Sequence, residues 1–398
     1  MSEYQYYEFQ AVDRPLTQAE IAQLRALSTR AQITPTRFQN VYHYGDFRGE
    51  PLELVQRYFD GFVYVANWGT RWCMLRLPRR ALDAALAQPY ALEDAVTIHV
   101  EREHVILEFR SDDEEDAGWI DDEEAAGWLP ALLPLRGELA RGDLRALYVG
   151  WLACVAPGLA DDDIDDASHN DFHPDEDFED EDSEEGYGPL DDAAVEPPVP
   201  PGLGTLSPAL QALADFLRVG PDLTAAAAER SPALSTSPSA AEVERWVVGL
   251  PAAEKDALLL RLAAGEALHL PSEMQRQLGA GPTAVPGERT VAALRARAVE
   301  LAAARRRDAA ERVAAERTAY LDSLVGREEE LWRQVDTLIE AKRAQEYDQA
   351  VELLTALRDL SARQQQDRWF AGRLDMLRQR YRTRSALLGR LDRAGLRP

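Results

Sequence analysis

At 398 residues the chain is too long for one compact core, so two or three domains are expected. Its 44 Lys+Arg stand against 70 Asp+Glu, a formal net charge of −26, and the deficit is unevenly placed. Residues 1–110 hold 12 basic and 14 acidic side chains, 111–200 hold 3 and 29, 201–285 hold 6 and 9, and 286–398 hold 23 and 18. One stretch therefore carries the whole net charge, and global acidity rules out no class of partner, nucleic acid included. Cys73 and Cys154 are too far apart for a CxxC pair and too few for a disulfide framework, so reduced thiols in a cytoplasmic protein are expected. The opening residues lack a basic-then-apolar signal pattern. The longest uncharged apolar run, 146–160, is shorter than the roughly 20 residues of a spanning helix and contains Pro157-Gly158. It reads as a buried helix, and no membrane association is expected.

In chain order, residues 4–12 are aromatic and β-prone. Thr17-Gln-Ala-Glu20 is a capping box that opens a helix to about Arg30, with Ile21, Leu24 and Leu27 on one face. A second helix is expected over 51–59. Residues 62–66 and 72–77 read as strands around the Asn67-Trp68-Gly69-Thr70 turn; after a short helix at 79–87, residues 96–100 and 105–109 read as a second hairpin. This mixture predicts an α+β N-terminal domain with a largely antiparallel sheet.

Residues 112–120 and 121–129 are one nine-residue unit repeated, with only Asp116/Ala125 and Ile120/Leu129 differing. Two copies are too few for a solenoid. An acidic surface loop is expected, the alternative being a paired ledge of Trp119 and Trp128. Residues 129–156 read as two helices packed on the first domain. Between 161 and 185 there are 15 acidic residues, and no Lys or Arg occurs from 146 to 217, a run too polar and self-repelling to order. Glu196-Pro-Pro-Val-Pro-Pro-Gly202 follows as a stiff, extended spacer. Everything beyond reads as helix: 207–217, 240–248, 252–264, a long helix from Glu288 to about Val325, then 327–342 and a pair at 347–360 and 369–381. The expected organisation is an α+β domain over 1–157, a disordered linker over 158–204, short helices over 205–285 and an all-α module over 286–398.

No P-loop, GxGxxG, GxSxG, HExxH or deaminase pattern occurs, which argues against an enzyme. His169 and His173 sit among carboxylates that could ligate a divalent metal, but the EF-hand pattern fails at Asp166 and Phe172. No metal or cofactor is assigned. Of 31 aromatic residues, 14 lie in the first 72 positions. Arg37, Arg48, Arg71 and Arg76 with Tyr42, Tyr44, Trp68 and Trp72 are the residue types that stack bases and contact phosphates. They also fit an aromatic core whose arginines pair with Asp46 and Asp60, and that is the expectation. His43 near Asp46 has the makings of a general base, but no nucleophile accompanies it. At the other end, Arg373, Arg380 and Arg384 share a helix face, and the last 26 residues hold eight Arg against Asp375 and Asp392. This tail meets nucleic acid or pairs with the acidic linker of its own chain.

Tyr6-Tyr-Glu-Phe-Gln-Ala-Val-Asp-Arg-Pro-Leu-Thr17, Ile33-Thr-Pro-Thr36, Gly45-Asp-Phe-Arg-Gly49, the segment from Phe62 to Arg71 and Gly142-Asp-Leu-Arg-Ala-Leu-Tyr-Val-Gly-Trp151 resemble a family of uncharacterised bacterial proteins over about residues 4–156. That resemblance implies no activity. Residues 347–354 through 387–396 are similar to helical segments of bacterial SWIM zinc-finger proteins, without the CxC…CxH ligands, so the likeness implies no zinc site and only a loose association with nucleic acid. The expected function is a non-enzymatic interaction or adaptor protein that docks a partner protein through its C-terminal helices. The alternative is a nucleic-acid-associated factor using the Arg-rich tail or the aromatic and arginine N-terminal face. Neither the partner nor the oligomeric state is readable.

Overall fold

The computed structural model describes residues 3–93, 95–113, 117–159, 190–234, 239–263, 270–278 and 284–397. The acidic run at 161–185, with His169 and His173, lies outside the described residues. Seven strands, β1 (Gln5–Gln10), β2 (Gln32–Ile33), β3 (Arg37–Tyr42), β4 (Gly61–Ala66), β5 (Arg71–Pro78), β6 (Val96–Val100) and β7 (His104–Ser111), form one antiparallel sheet in the order β2-β3-β1-β4-β5-β7-β6. Both predicted hairpins are present. β3 is not among the predicted strands: the aromatic run at 33–49 supplies a strand that pairs along the whole of β1.

Alternation on β1 sends Tyr7 and Phe9 to one face, where they meet Phe38, Phe62, Tyr64 and Met74. Helices α1 (Gln18–Leu27) and α2 (Pro51–Arg57) cover this face with Leu24, Leu54 and Val55. The capping box at Thr17 and Glu20 is formed as its sequence predicts. After α3 (Ala84–Ala87), three helices cover the other face: α4 (Asp122–Leu132), α5 (Leu135–Ala140) and α6 (Arg145–Ala153). Their Leu129, Leu139, Leu147 and Leu152 pack on Val63, Leu75, Leu107 and Phe109. Because both faces are covered, β4 is buried along its whole length and shows no polar alternation.

The boundaries expected at 157 and 204 do not divide the molecule. One compact unit runs Met1–Ala302 and a second Ala303–Pro398. Residues 190–204, expected as part of a linker, belong to the first. Val199 and Leu203 are buried in the same core as Leu147, and bridges join Val195 to Thr290 and Val199 to Val285. An extended proline-rich chain cannot satisfy its own carbonyls. Here the Tyr90 hydroxyl donates to the Pro198 carbonyl at 2.7 Å, and Arg145 donates to those of Gly202 and Thr205 at 3.0 and 2.9 Å. The segment is a strap inside a folded body. Helices α7 (Pro208–Phe216) and α8 (Pro221–Ala228) complete the core with Leu210, Leu213, Phe216 and Leu223. Next come α9 (Ala240–Gly249), α10 (Ala252–Ala263), α11 (Leu270–Gln277) and α12 (Val291–Leu324), whose Val291, Leu294 and Ala298 enter that core.

Two buried charge clusters lock these pieces. Asp60 accepts from the backbone N–H groups of Val12 and Asp13 at 2.6 and 2.9 Å and pairs with Arg76 at 2.8 Å. Arg136 lies 3.6 Å from Asp60 and 2.9 Å from Asp13. Glu196, on the strap, pairs with Arg289 at 2.8 Å and accepts a 2.6 Å hydrogen bond from Tyr148. Arg289 also donates to the carbonyls of Ala226 and Ala227 at 2.6 and 3.2 Å. Burial acts to raise the pKa of Glu196, but the hydrogen bonds from Arg289 and Tyr148 outweigh it and hold the carboxyl below its ordinary value.

The second unit has its own core. Leu331, Val335 and Ile339 of α13 (Glu328–Glu340), Leu354 and Leu357 of α14 (Ala344–Arg363), Phe370 and Leu374 of α15 (Asp367–Arg380) and Leu387 and Leu391 of α16 (Ser385–Arg393) pack together. Gly326 and Gly395 follow helix ends at φ of +79° and +67°, a conformation that carries little steric penalty for glycine. Among the described residues, no helix is long and apolar enough to cross a membrane.

Candidate interaction surfaces

The N-terminal candidates separate into half-buried braces and exposed rings. Arg37 crosses from β3 to β1, its Nε 2.6 Å from the buried Glu8 carboxylate and a terminal nitrogen donating to the Tyr6 hydroxyl at 3.3 Å. Burial opposes its charge, but Glu8 and Tyr6 more than compensate, so its pKa is raised. Arg71 donates to the carbonyls of Asp215 and Phe216 at 3.0 and 3.4 Å and lies over the Trp128 ring at 5.8 Å. Tyr42 packs edge-on against Tyr7, and Trp72 against Phe62. Arg48 lines a cavity of about 400 Å³ between α1 and α2, with Glu50, Glu53 and Arg57. The expected core pairing holds at Asp60, which takes Arg76. Asp46 instead accepts from the Gln5 side-chain amide at 3.2 Å.

His43, Tyr44, Asp46 and Trp68 are exposed and gather at one end of the sheet. The His43 ring packs against Tyr4 at 5.8 Å; the Tyr4 amide donates to the Asn67 side chain at 2.9 Å, and the Gly118 amide to the Asn67 carbonyl at 3.1 Å. These bonds bring the 43–46 loop, the Trp68 turn and the segment before α4 to one edge. His43 and Asp46 turn to different partners, Tyr4 and Gln5, and do not form the base pairing considered from sequence.

The duplicated unit ends in two different places. Trp128 lies on α4 and packs against Phe216 at 5.2 Å, whereas Trp119 is 87% exposed. They do not make a paired ledge. Asp121 caps α4 by accepting from the Glu124 amide at 2.7 Å, so the acidic second copy opens a helix rather than a loop.

Arg373, Arg378, Arg380, Arg384 and Arg390 contact groups of the C-terminal helices. Arg373 pairs with Glu329 and lies over Trp332 and Trp369 at 4.8 and 5.0 Å. Arg380 pairs with Asp336 and Glu340 at 3.3 and 3.1 Å; Arg384 donates to the Ile339 carbonyl and lies over Tyr381 at 4.8 Å. Arg378 and Arg390 pair with Asp392 and Asp348 at 2.8 and 2.6 Å. Glu329, Asp336 and Glu340 repeat along α13 the spacing of Arg373, Arg380 and Arg384, so α13 and α15 run parallel. Each of these partners lies within the C-terminal helices themselves.

A third surface has no counterpart among the sequence candidates. No residue of α9 or α10 is buried, and Leu260 and Val248 are each 71% exposed, with Leu259 and Leu262 also open. The pair is anchored by Arg261, which meets Glu273 of α11 at 2.6 and 3.1 Å. The signal was Leu258-Leu-Leu-Arg-Leu262: four leucines in five residues are more than one helical stripe can bury.

The chain matches no protein-family model, no curated protein and no solved structure. The surfaces therefore stand on their own geometry. Among the described residues, no group of three or more His, Cys, Asp or Glu side chains is placed to hold a metal. A cavity of about 150 Å³ adjoins Cys154, whose thiol is pushed up to about 12 by burial and so stays protonated at neutral pH.

Proposed function

We propose that the protein is a non-enzymatic interaction protein that docks a helical segment of a partner protein on helices of its C-terminal half. The observation that carries this reading is the α9–α10 pair: two formed helices that hold no fully buried residue and present Val248, Leu259, Leu260 and Leu262. Covering one such side chain is worth about 1.5–3 kcal/mol, and helices this short are marginal alone, so a covering partner supplies both affinity and order. An amphipathic helix laid across exposed leucines at helical spacing is the recognition mode that fits. The nucleic-acid alternative uses the Arg-rich tail or the aromatic and arginine N-terminal face. With Arg373, Arg380 and Arg384 engaged by Glu329, Asp336, Glu340 and the Ile339 carbonyl, and Arg37 and Arg71 engaged by Glu8 and by carbonyls of α7, no observation favours it.

The double variant Leu259→Glu/Leu260→Glu tests the proposal. Both side chains are exposed, so thermal stability should stay within about 0.5 kcal/mol of the parent. A protein that co-purifies with the parent from its native host should be lost. Unchanged co-purification, or none with the parent, would count against the reading.

A further inference from the structure

We propose that the exposed aromatic and acidic end of the sheet is a second docking surface, one that takes an arginine-bearing segment of a partner protein. Trp119 is 87% and Tyr44 82% exposed, and Trp68 and His43 share the same edge. Trp119 is held at its position from both sides. Gly118 is bonded to Asn67 beside the Trp68 turn, and Ile120 packs on the cluster of Tyr4, Tyr6 and Ala125.

The exposed charged side chains nearest Trp119 and Tyr44 along the chain are acidic. Asp121, Asp122, Glu123 and Glu124 follow Trp119 with no intervening base, and all four are exposed, as is Asp46. Asp122 accepts one hydrogen bond from the Tyr4 hydroxyl at 2.7 Å and Asp46 one from Gln5, which leaves acceptor capacity on each carboxylate. The arginines of this region are engaged within the chain, Arg37 by Glu8, Arg71 by carbonyls of α7 and Arg218, beside the Trp68 turn, by the Gly69 carbonyl at 2.7 Å and the Ser111 hydroxyl at 2.9 Å, while Arg48 lines the cavity between α1 and α2. Aromatic faces rimmed by carboxylates attract a planar guanidinium by stacking and by charge, and repel a phosphate backbone.

The internal repeat supplies a template for the occupant. In the second copy, Trp128 is covered by a guanidinium of the same chain, Arg71, at 5.8 Å. In the first copy the equivalent Trp119, with the same Ala-Gly before it, faces solvent. The unoccupied copy is suited to receive from another protein what the occupied one receives from β5.

The experiment uses the whole chain and a fluorescent peptide of six arginines alternating with glycines, followed by anisotropy at low salt. The parent should bind it, and Trp119→Ala/Tyr44→Ala should bind about tenfold more weakly with unchanged thermal stability, while Trp119→Phe restores most of the affinity. Equal affinity in parent and double variant would assign the binding to the acidic run at 161–185 and overturn the proposal. So would no binding by the parent, or tighter binding of a single-stranded oligonucleotide.

Discussion

Asp60→Ala is expected to destabilise the first unit by about 3–5 kcal/mol, a large share of a typical domain's stability. The carboxylate is 1% exposed and is contacted by two guanidinium groups and two backbone N–H groups at once. Alanine would leave Arg76 buried with no carboxylate, Arg136 with Asp13 alone, and the amides of Val12 and Asp13 without their acceptor. Desolvated donors of this kind are expensive whether or not the original cluster was strongly favourable. Asp60→Asn keeps an oxygen for the Val12 amide and should lose less. Urea denaturation followed by tryptophan fluorescence checks both. An alanine variant within 1 kcal/mol of the parent would show that the cluster does not hold α5, β5 and the 11–13 segment together.

Glu196→Ala is the second large effect, expected at about 3–5 kcal/mol, because it leaves the half-buried Arg289 without its carboxylate and removes the strap's bonds to Tyr148 of α6 and to the segment before α12. It also carries a pH signature. The folded-state pKa of Glu196 lies below its unfolded value of about 4.3. Its contribution is therefore fully present above that unfolded value and is lost as the pH falls through the depressed folded one. Stability measured from pH 7 downward should fall below about pH 5 in the parent, and the part due to Glu196 should be missing from the slope of the variant. Identical slopes would contradict the role given to this carboxylate.

Local signals were readable where local physics decides. The Thr17 capping box, the two hairpins and the long helices follow from periodicity and turn residues within a few positions. β3 is hidden in the sequence because Arg37-Phe-Gln-Asn-Val-Tyr42 buries Asn40 as well as Phe38, and the Asn40 side-chain NH2 donates to Ser28 at 2.9 Å, twelve residues away. α8 has an alanine run without a readable stripe. The strap reads as a spacer in sequence because its order comes from Tyr90, Arg145 and Arg289, side chains 57 to 108 residues from the atoms they hold. No window along the chain contains those partners.

The candidate sites show the same division. Residue type correctly marked the N-terminal aromatic run and the arginine tail as unusual, but burial decides their roles. Arg37, Tyr42 and Arg71 became braces; Tyr44, Trp68 and His43 remained at the surface. In the tail, the matching spacings on α13 and α15 were present in the sequence, yet their meaning depends on two helices running parallel about 44 residues apart.

The central functional claim is that α9 and α10 are covered by a partner in the cell. A photo-reactive amino acid placed at Leu260, activated in the native host, tests it most directly. The account predicts one discrete cross-linked species, lost when Leu259 and Leu262 are changed to glutamate and absent when the same group is placed at the exposed Val313 of α12. No adduct at position 260, or the same adducts from position 313, would contradict it.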